Sequence, residues 1–198
     1  MLYWLEYDAQ RKFRYAYKNV SFIGYDRSIC PQCSRQVATP QYKADAPHLI
    51  LEGGRAYPDF LQFCGAGDRL YLVSEKALNL YEKNGITGYS GYRLVTIEHV
   101  QQHNNGPHHP EYYCLDITGR IDLDIAAMHI KKKKTCSLCK QYEWSRARLE
   151  PIFLDRTTWD GSDLCLVNSI PGFKVCSESL KELTQSQKLT GFSFRTSL

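Results

Sequence analysis

The residues best equipped for chemistry are two Cys-x-x-Cys pairs, Cys30-Pro31-Gln32-Cys33 and Cys136-Ser137-Leu138-Cys139. A two-residue spacer lets one tight turn present two thiolates to one ion, and a tetrahedral zinc site closes with four soft ligands. Pro31 favours such a turn, because its fixed φ suits the second position of a type I bend. The pairs occupy equivalent places in two parts of the chain. They are therefore expected to meet as one structural four-cysteine zinc site built from Cys30, Cys33, Cys136 and Cys139. A closed thiolate set leaves no position for water or substrate, so the ion would fasten the fold rather than act as a Lewis acid. Thiol redox chemistry would instead want one pair at a helix N-terminus after a strand, where the dipole lowers a thiol pKa. Neither pair precedes a helical pattern.

The other four cysteines, Cys64, Cys114, Cys165 and Cys176, sit in apolar, strand-like stretches and read as small buried hydrophobes. Four histidines between His99 and His109 lie in a Gly, Pro and Asn-rich segment whose spacing matches no closed ligand set, so they read as a solvated loop. The chain has no Gly-x-Ser-x-Gly elbow, phosphate loop or His-Glu-x-x-His. Asp59 and Asp163 recur at matching places, and an acid beside a turn usually caps backbone. No catalytic residues are assigned and no enzyme activity is expected.

The elements that must position the cysteines repeat along the chain. Ser74-Glu75-Lys76-Ala77-Leu78-Asn79-Leu80 lies 103 positions before Ser177-Glu178-Ser179-Leu180-Lys181-Glu182-Leu183, and the same offset carries Ile86-Thr87-Gly88-Tyr89-Ser90 onto Leu189-Thr190-Gly191-Phe192-Ser193. Self-similarity at a fixed offset points to tandem, similar halves. The expected boundaries are 1–99 for the first half, 100–110 for a linker and 111–198 for the second, within one compact domain. Each half reads as hairpin, Cys-x-x-Cys turn, strands, helix and strand, an α+β fold packed around one zinc.

Leu2–Tyr7 with Arg11–Lys18, and Tyr112–Ile117 with Arg120–Ile125, are the expected hairpins, the latter around a Thr118-Gly119 turn. In Arg11–Lys18, Phe13, Tyr15 and Tyr17 alternate with Arg14, Ala16 and Lys18, which predicts the aromatics inside. Ile121, Leu123 and Ile125 share one strand face; Asp122 and Asp124 share the other. Short strands are expected at 59–63, 70–73, 163–167 and 173–176. Ser74 and Ser177 are expected N-caps of helices running to about Lys83 and Gln187, with Gly85 ending the first.

The composition sets bounds on partners. Of 198 residues, 43% are hydrophobic and 23% charged, ordinary for a globular chain, and 25 basic against 21 acidic residues leave only +4. That surplus does not by itself indicate nucleic acid. No apolar run approaches the roughly 20 residues of a membrane helix, and Met1–Arg11 lacks the features of a secretory signal. A cytoplasmic protein with no membrane partner is expected.

The two Cys-x-x-Cys pairs, the Tyr57-Pro58-Asp59 and Asp160-Gly161-Ser162-Asp163 stretches, the Ser-Glu helix starts and Leu189-Thr190-Gly191-Phe192-Ser193-Phe194 together resemble the double-CXXCG motif immunity proteins of bacterial toxin and immunity pairs. The resemblance implies a cytoplasmic protein that binds and neutralises a cognate protein toxin, with Cys30, Cys33, Cys136 and Cys139 as zinc ligands. The family places Gly after each second cysteine, where this chain has Ser34 and Lys140. It supplies no toxin-contacting positions; Asp122 and Asp124, on an outward strand face, are candidates for meeting a basic toxin. The alternative is a zinc-ribbon-like nucleic-acid-binding protein, suggested by the lysine run Lys131–Lys134 and by Arg11–Lys18. Stacking on bases would need those aromatics exposed.

Overall fold

The computed structural model describes residues 1–8, 12–19, 23–34, 36–42, 47–63, 71–100, 109–129, 132–138, 142–144, 152–168 and 173–197. Among these, two short helices and many strands make a mixed, mostly β architecture with two large sheets. In chain order the first part contains β1 (Leu2–Tyr7), β2 (Arg14–Asn19), β3 (Ile23–Ile29), β4 (Gln36–Tyr42), β5 (His48–Gly53), β6 (Phe60–Phe63), β7 (Leu72–Ser74), α1 (Glu75–Lys83), β8 (Tyr89–Leu94) and β9 (Thr96–Val100). The second contains β10 (Tyr112–Ile117), β11 (Gly119–Leu123), β12 (Lys132–Thr135), β13 (Tyr142–Trp144), β14 (Leu154–Asp155), β15 (Leu164–Val167), β16 (Lys174–Ser177), α2 (Glu178–Ser186) and β17 (Phe192–Thr196).

The helices start where a local signal starts them. Ser74 and Ser177 hold extended backbone and their hydroxyls accept from the amides of Ala77 and Leu180, each at 3.2 Å. Both helices stop in the same way. The amide of Ile86 reaches the carbonyl of Tyr81 and that of Gly85 the carbonyl of Glu82, while Leu189 reaches Thr184 and Lys188 reaches Gln185. This is the Schellman closure, which needs a left-handed residue. Gly85 (φ 64°) supplies it in α1; Lys188 (φ 50°) supplies it in α2, where a side chain must bear the strain. Ala77, Leu78 and Tyr81 of α1 and Leu180 and Thr184 of α2 are buried, whereas Leu80 and Leu183 are half-buried against the core.

The hairpin expectation needs correction. β1 does not pair with β2, nor β10 with β11. The six-stranded sheet runs β14-β11-β15-β16-β1-β17 and the seven-stranded sheet β8-β10-β7-β6-β2-β5-β9. β1 thus inserts antiparallel between β16 and β17, and β10 between β7 and β8, each crossing into the sheet made largely by the other part of the chain. At Thr118-Gly119 the chain changes sheet instead of turning back. Gly119 is buried and a Cβ there would overlap Leu164 O, so the corner is closed by backbone packing.

The facing of β2 also differs from expectation. Arg14 (2% exposed) and Ala16 (0%) point into the fold, while Phe13 and Tyr15 are half-buried. Alternation fixes which residues share a face, not which face is covered. Here tiny Ala16 fits among Leu49, Leu51 and Leu61, Arg14 lays its guanidinium 5.2 Å from the Tyr57 ring centroid, and Tyr15 covers Gly53 on the other side.

One core cluster joins both sheets and both helices. At its centre Phe60 of β6 stacks on Tyr7 of β1 at 4.4 Å and on Phe192 of β17 at 4.7 Å, and it also meets Tyr71. The hydroxyls of Tyr71 and Tyr81 meet at 3.1 Å, so two buried phenols satisfy one another. Cys114, Cys165 and Cys176 are buried at 0–2% exposure, as expected; Cys64 lies outside the described residues. No helix among the described residues is long and apolar enough to cross a membrane.

Candidate metal centre

Each Cys-x-x-Cys pair begins where a two-stranded hairpin turns. β3 and β4 pair antiparallel from Ile23↔Tyr42 to Ile29↔Gln36, and Cys30–Ser34 occupies the turn. β12 and β13 pair from Lys132↔Trp144 to Thr135↔Tyr142, with Cys136 directly after β12. A strand rather than a helix follows the pair in each case, which removes the dipole argument for a redox thiol.

The two turns converge. Cys30 Sγ lies 3.7 Å from Cys136 Sγ, and the sulfurs of Cys30, Cys33 and Cys136 all lie within 4.8 Å of one another. A tetrahedron with metal–sulfur bonds of about 2.3 Å has sulfur–sulfur edges of about 3.8 Å, so these spacings suit a metal ion. Cys139 lies outside the described residues. Cys30 (4% exposed) and Cys136 (8%) are buried, and Cys33 is half-buried.

The first turn is shaped to stabilise thiolate. The amide of Cys33 donates to Cys30 sulfur and lowers its pKa below the usual cysteine range, against the opposing effect of burial; the Gln32 amide adds to the lowering. The amide of Ser34 closes the turn on the carbonyl of Cys30 at 2.8 Å. Ser34 does so at φ 57°, the left-handed conformation for which Gly is best suited. The Ser at this position therefore leaves the turn geometry in place.

Sequence reasoning missed Gln32. Its Oε1 accepts from Ser137 Oγ at 2.9 Å and lies 3.5 Å from Cys136 Sγ, carrying the first turn's side chain onto the second. Only its place between two cysteines hinted at such a role. Its second-turn counterpart, Leu138, is apolar and, like Gln32, exposed.

The remaining sequence-predicted positions are placed as follows. Asp122 accepts from Asn168 Nδ2 at 2.8 Å, and Asp124 Oδ1 accepts from the amide of Ala127 at 2.8 Å; both are half-buried. Ile121 and Leu123 are buried opposite them. The histidines of the linker, apart from His99 and His109, lie outside the described residues. Asp59 and Asp163 accept from Ser and Thr hydroxyls and from the amides of Thr190 and Thr87, so they bind the backbone of distant turns rather than capping their own. No protein-family model matches the chain, and no curated protein does.

Proposed function

We propose that this chain is an immunity protein that binds and neutralises a cognate bacterial toxin in the cytoplasm, without catalysis of its own. The observation that carries the reading is the meeting of Cys30 and Cys33 with Cys136 across 106 residues of chain. In this reading the ion is zinc, Cys139 is the fourth ligand, and the metal rivets two similar halves produced by tandem duplication. Zinc supplies folding free energy at such a site and no open coordination position for substrate.

Further support comes from the strand order. The sequence β14-β11-β15-β16-β1-β17 in one sheet is matched by β5-β2-β6-β7-β10-β8 in the other, element for element, with β9 added at one edge. Together with the resemblance to double-CXXCG immunity proteins, this favours a stoichiometric inhibitor.

The test is genetic and biochemical. The gene beside this one should encode a toxin whose C-terminal domain co-purifies with the chain and loses its toxicity on co-expression. An adjacent toxin that neither binds nor is neutralised defeats the proposal.

A further inference from the structure

We infer that the metal-bearing end of the molecule is the docking surface, and that it fits an acidic face on the partner protein. The inference rests on the immunity reading for the identity of that partner, the cognate toxin.

Large exposed hydrophobic side chains are few among the described residues, and two of them cluster here. Ile29 is 72% exposed and adjoins Cys30; Leu138 is 60% exposed and lies two residues beyond Cys136. Since the sulfurs of Cys30 and Cys136 are 3.7 Å apart, the two apolar side chains flank one site rather than being scattered. Neither belongs to a core cluster, and exposed apolar side chains gathered at one place mark interaction surfaces. A metal-clamped cysteine turn would offer them with little ordering cost on binding.

Charge is unevenly distributed along the sequence, with a basic excess around the second cysteine turn. Residues 131–148 carry five lysines and two arginines against one glutamate, a surplus of six in a chain whose total is only +4. The rest holds 18 basic and 20 acidic residues, a deficit of two. Strand β12 takes Lys132, Lys133 and Lys134 directly up to Thr135 and Cys136. A basic hairpin beside exposed aliphatic groups complements an acidic surface with an apolar spot, and the charge would speed encounter while the apolar contacts hold the complex. Single-stranded nucleic acid would favour aromatic rings for stacking, whereas the large exposed hydrophobic side chains described at these turns, Ile29 and Leu138, are aliphatic.

The experiment measures the purified toxin domain encoded beside this gene against the zinc-loaded full chain by surface plasmon resonance, from low to high salt. Wild type, Ile29→Ser/Leu138→Ser, Lys132→Glu/Lys133→Glu/Lys134→Glu and Asp122→Asn are compared, each first shown to retain its zinc. We expect the lysine variant to lose at least 100-fold in affinity, with a reduced salt dependence. The aliphatic variant should lose at least tenfold, mainly in dissociation rate. Binding by wild type with both variants unaffected overturns this inference while leaving the immunity reading intact. Loss in Asp122→Asn alone moves the interface to β11 and also overturns it. Failure of wild type to bind refutes both. Binding of a single-stranded oligonucleotide but not the toxin, abolished by the lysine variant, would assign the surface to nucleic acid and overturn the protein partner.

Discussion

Asp59 and Thr190 are joined by three hydrogen bonds across 131 positions: the amide and hydroxyl of Thr190 donate to Asp59 Oδ2 at 2.8 and 3.0 Å, and the amide of Asp59 donates to Thr190 Oγ1 at 3.1 Å. Asp163 and Thr87 form the same three, at 2.9, 2.9 and 3.1 Å. Each carboxylate also accepts from its own helix-capping serine, Ser74 on Asp59 and Ser177 on Asp163. A helix start in one part of the chain is thereby tied to a Thr-Gly turn in the other. Gly88 (φ 96°) and Gly191 (φ 84°) let those turns lie against Leu164 O and Phe60 O, where a Cβ would clash.

Asp59 is 9% exposed, so removing its carboxylate strands several buried donors. Asp59→Ala should cost about 2–4 kcal/mol in urea unfolding, with metal content unchanged, and Asp163→Ala less, because its site is more open. A double-mutant cycle with Thr190→Val should give a coupling of about 1–2 kcal/mol. Additivity would contradict the link.

These residues also show what is legible in the sequence. The serine caps, both helix spans and the cysteine pairs are readable because each depends on neighbours within a few positions. Asp59 and Asp163 are readable as recurring acids, but their partners Thr190 and Thr87 are not, since nothing local says that an acid will cross to the other part of the chain. β1 and β2 read correctly as strands but not as partners, because pairing is decided by the whole sheet. Arg14 faces the side opposite to expectation for a related reason: the deciding term is the small Ala16 fitting under Leu49, Leu51 and Leu61, a tertiary packing effect.

Metal removal should unfold the hairpin turns and weaken the whole molecule. One zinc per chain is expected by elemental analysis, and Cys30→Ser, Cys136→Ser or Cys139→Ser should each lose it and cost several kcal/mol of stability. Cys176→Ala is the control. It removes a fully buried thiol from the core, so it should destabilise while retaining metal. Retention of zinc by Cys139→Ser would show that the fourth ligand is another group.

Gln32 should behave as a positioning residue for the second turn. Gln32→Ala removes the acceptor of Ser137 Oγ and the side chain beside Cys136 Sγ. Outer partners of this kind typically contribute 10–100-fold to metal affinity. Chelator competition should show a loss in that range, with a shifted sulfur-to-metal absorption band in the cobalt-loaded protein. Leu138→Ala, altering a side chain that points to solvent, should leave both readouts unchanged.

The unequal helix ends give a prediction of opposite sign. Lys188 holds the left-handed position that Gly85 holds in α1. Lys188→Gly should raise stability by roughly 0.5–1 kcal/mol, the strain relieved outweighing the added freedom of the unfolded chain. Gly85→Ala should lower it by about 1 kcal/mol, although a Cβ there meets nothing within 4 Å. Thermal melts of the pair would separate backbone strain from packing.

The buried thiols predict the response to alkali. Burial pushes Cys114 and Cys165 up to about 12 and raises Cys176 further still. An unfolded cysteine ionises near 8.5, so above that pH the unfolded chain has released protons that the folded chain retains. Stability contributed by these groups is complete below pH 8.5 and is lost as pH rises toward the folded values, each thiol costing up to about 1.4 kcal/mol per pH unit in that window. Replacing all three with Ala should lower stability at pH 7 through lost packing but flatten its decline between pH 9 and 11. The same burial should shield the three thiols from iodoacetamide at pH 8 in the native protein, so that chelation exposes the cysteines of the metal site, and not these three, to rapid alkylation. Equal labelling of Cys114 and Cys30 after chelation would mean that the core opens when the metal leaves, making the ion a condition of the whole fold and not of its hairpin ends alone.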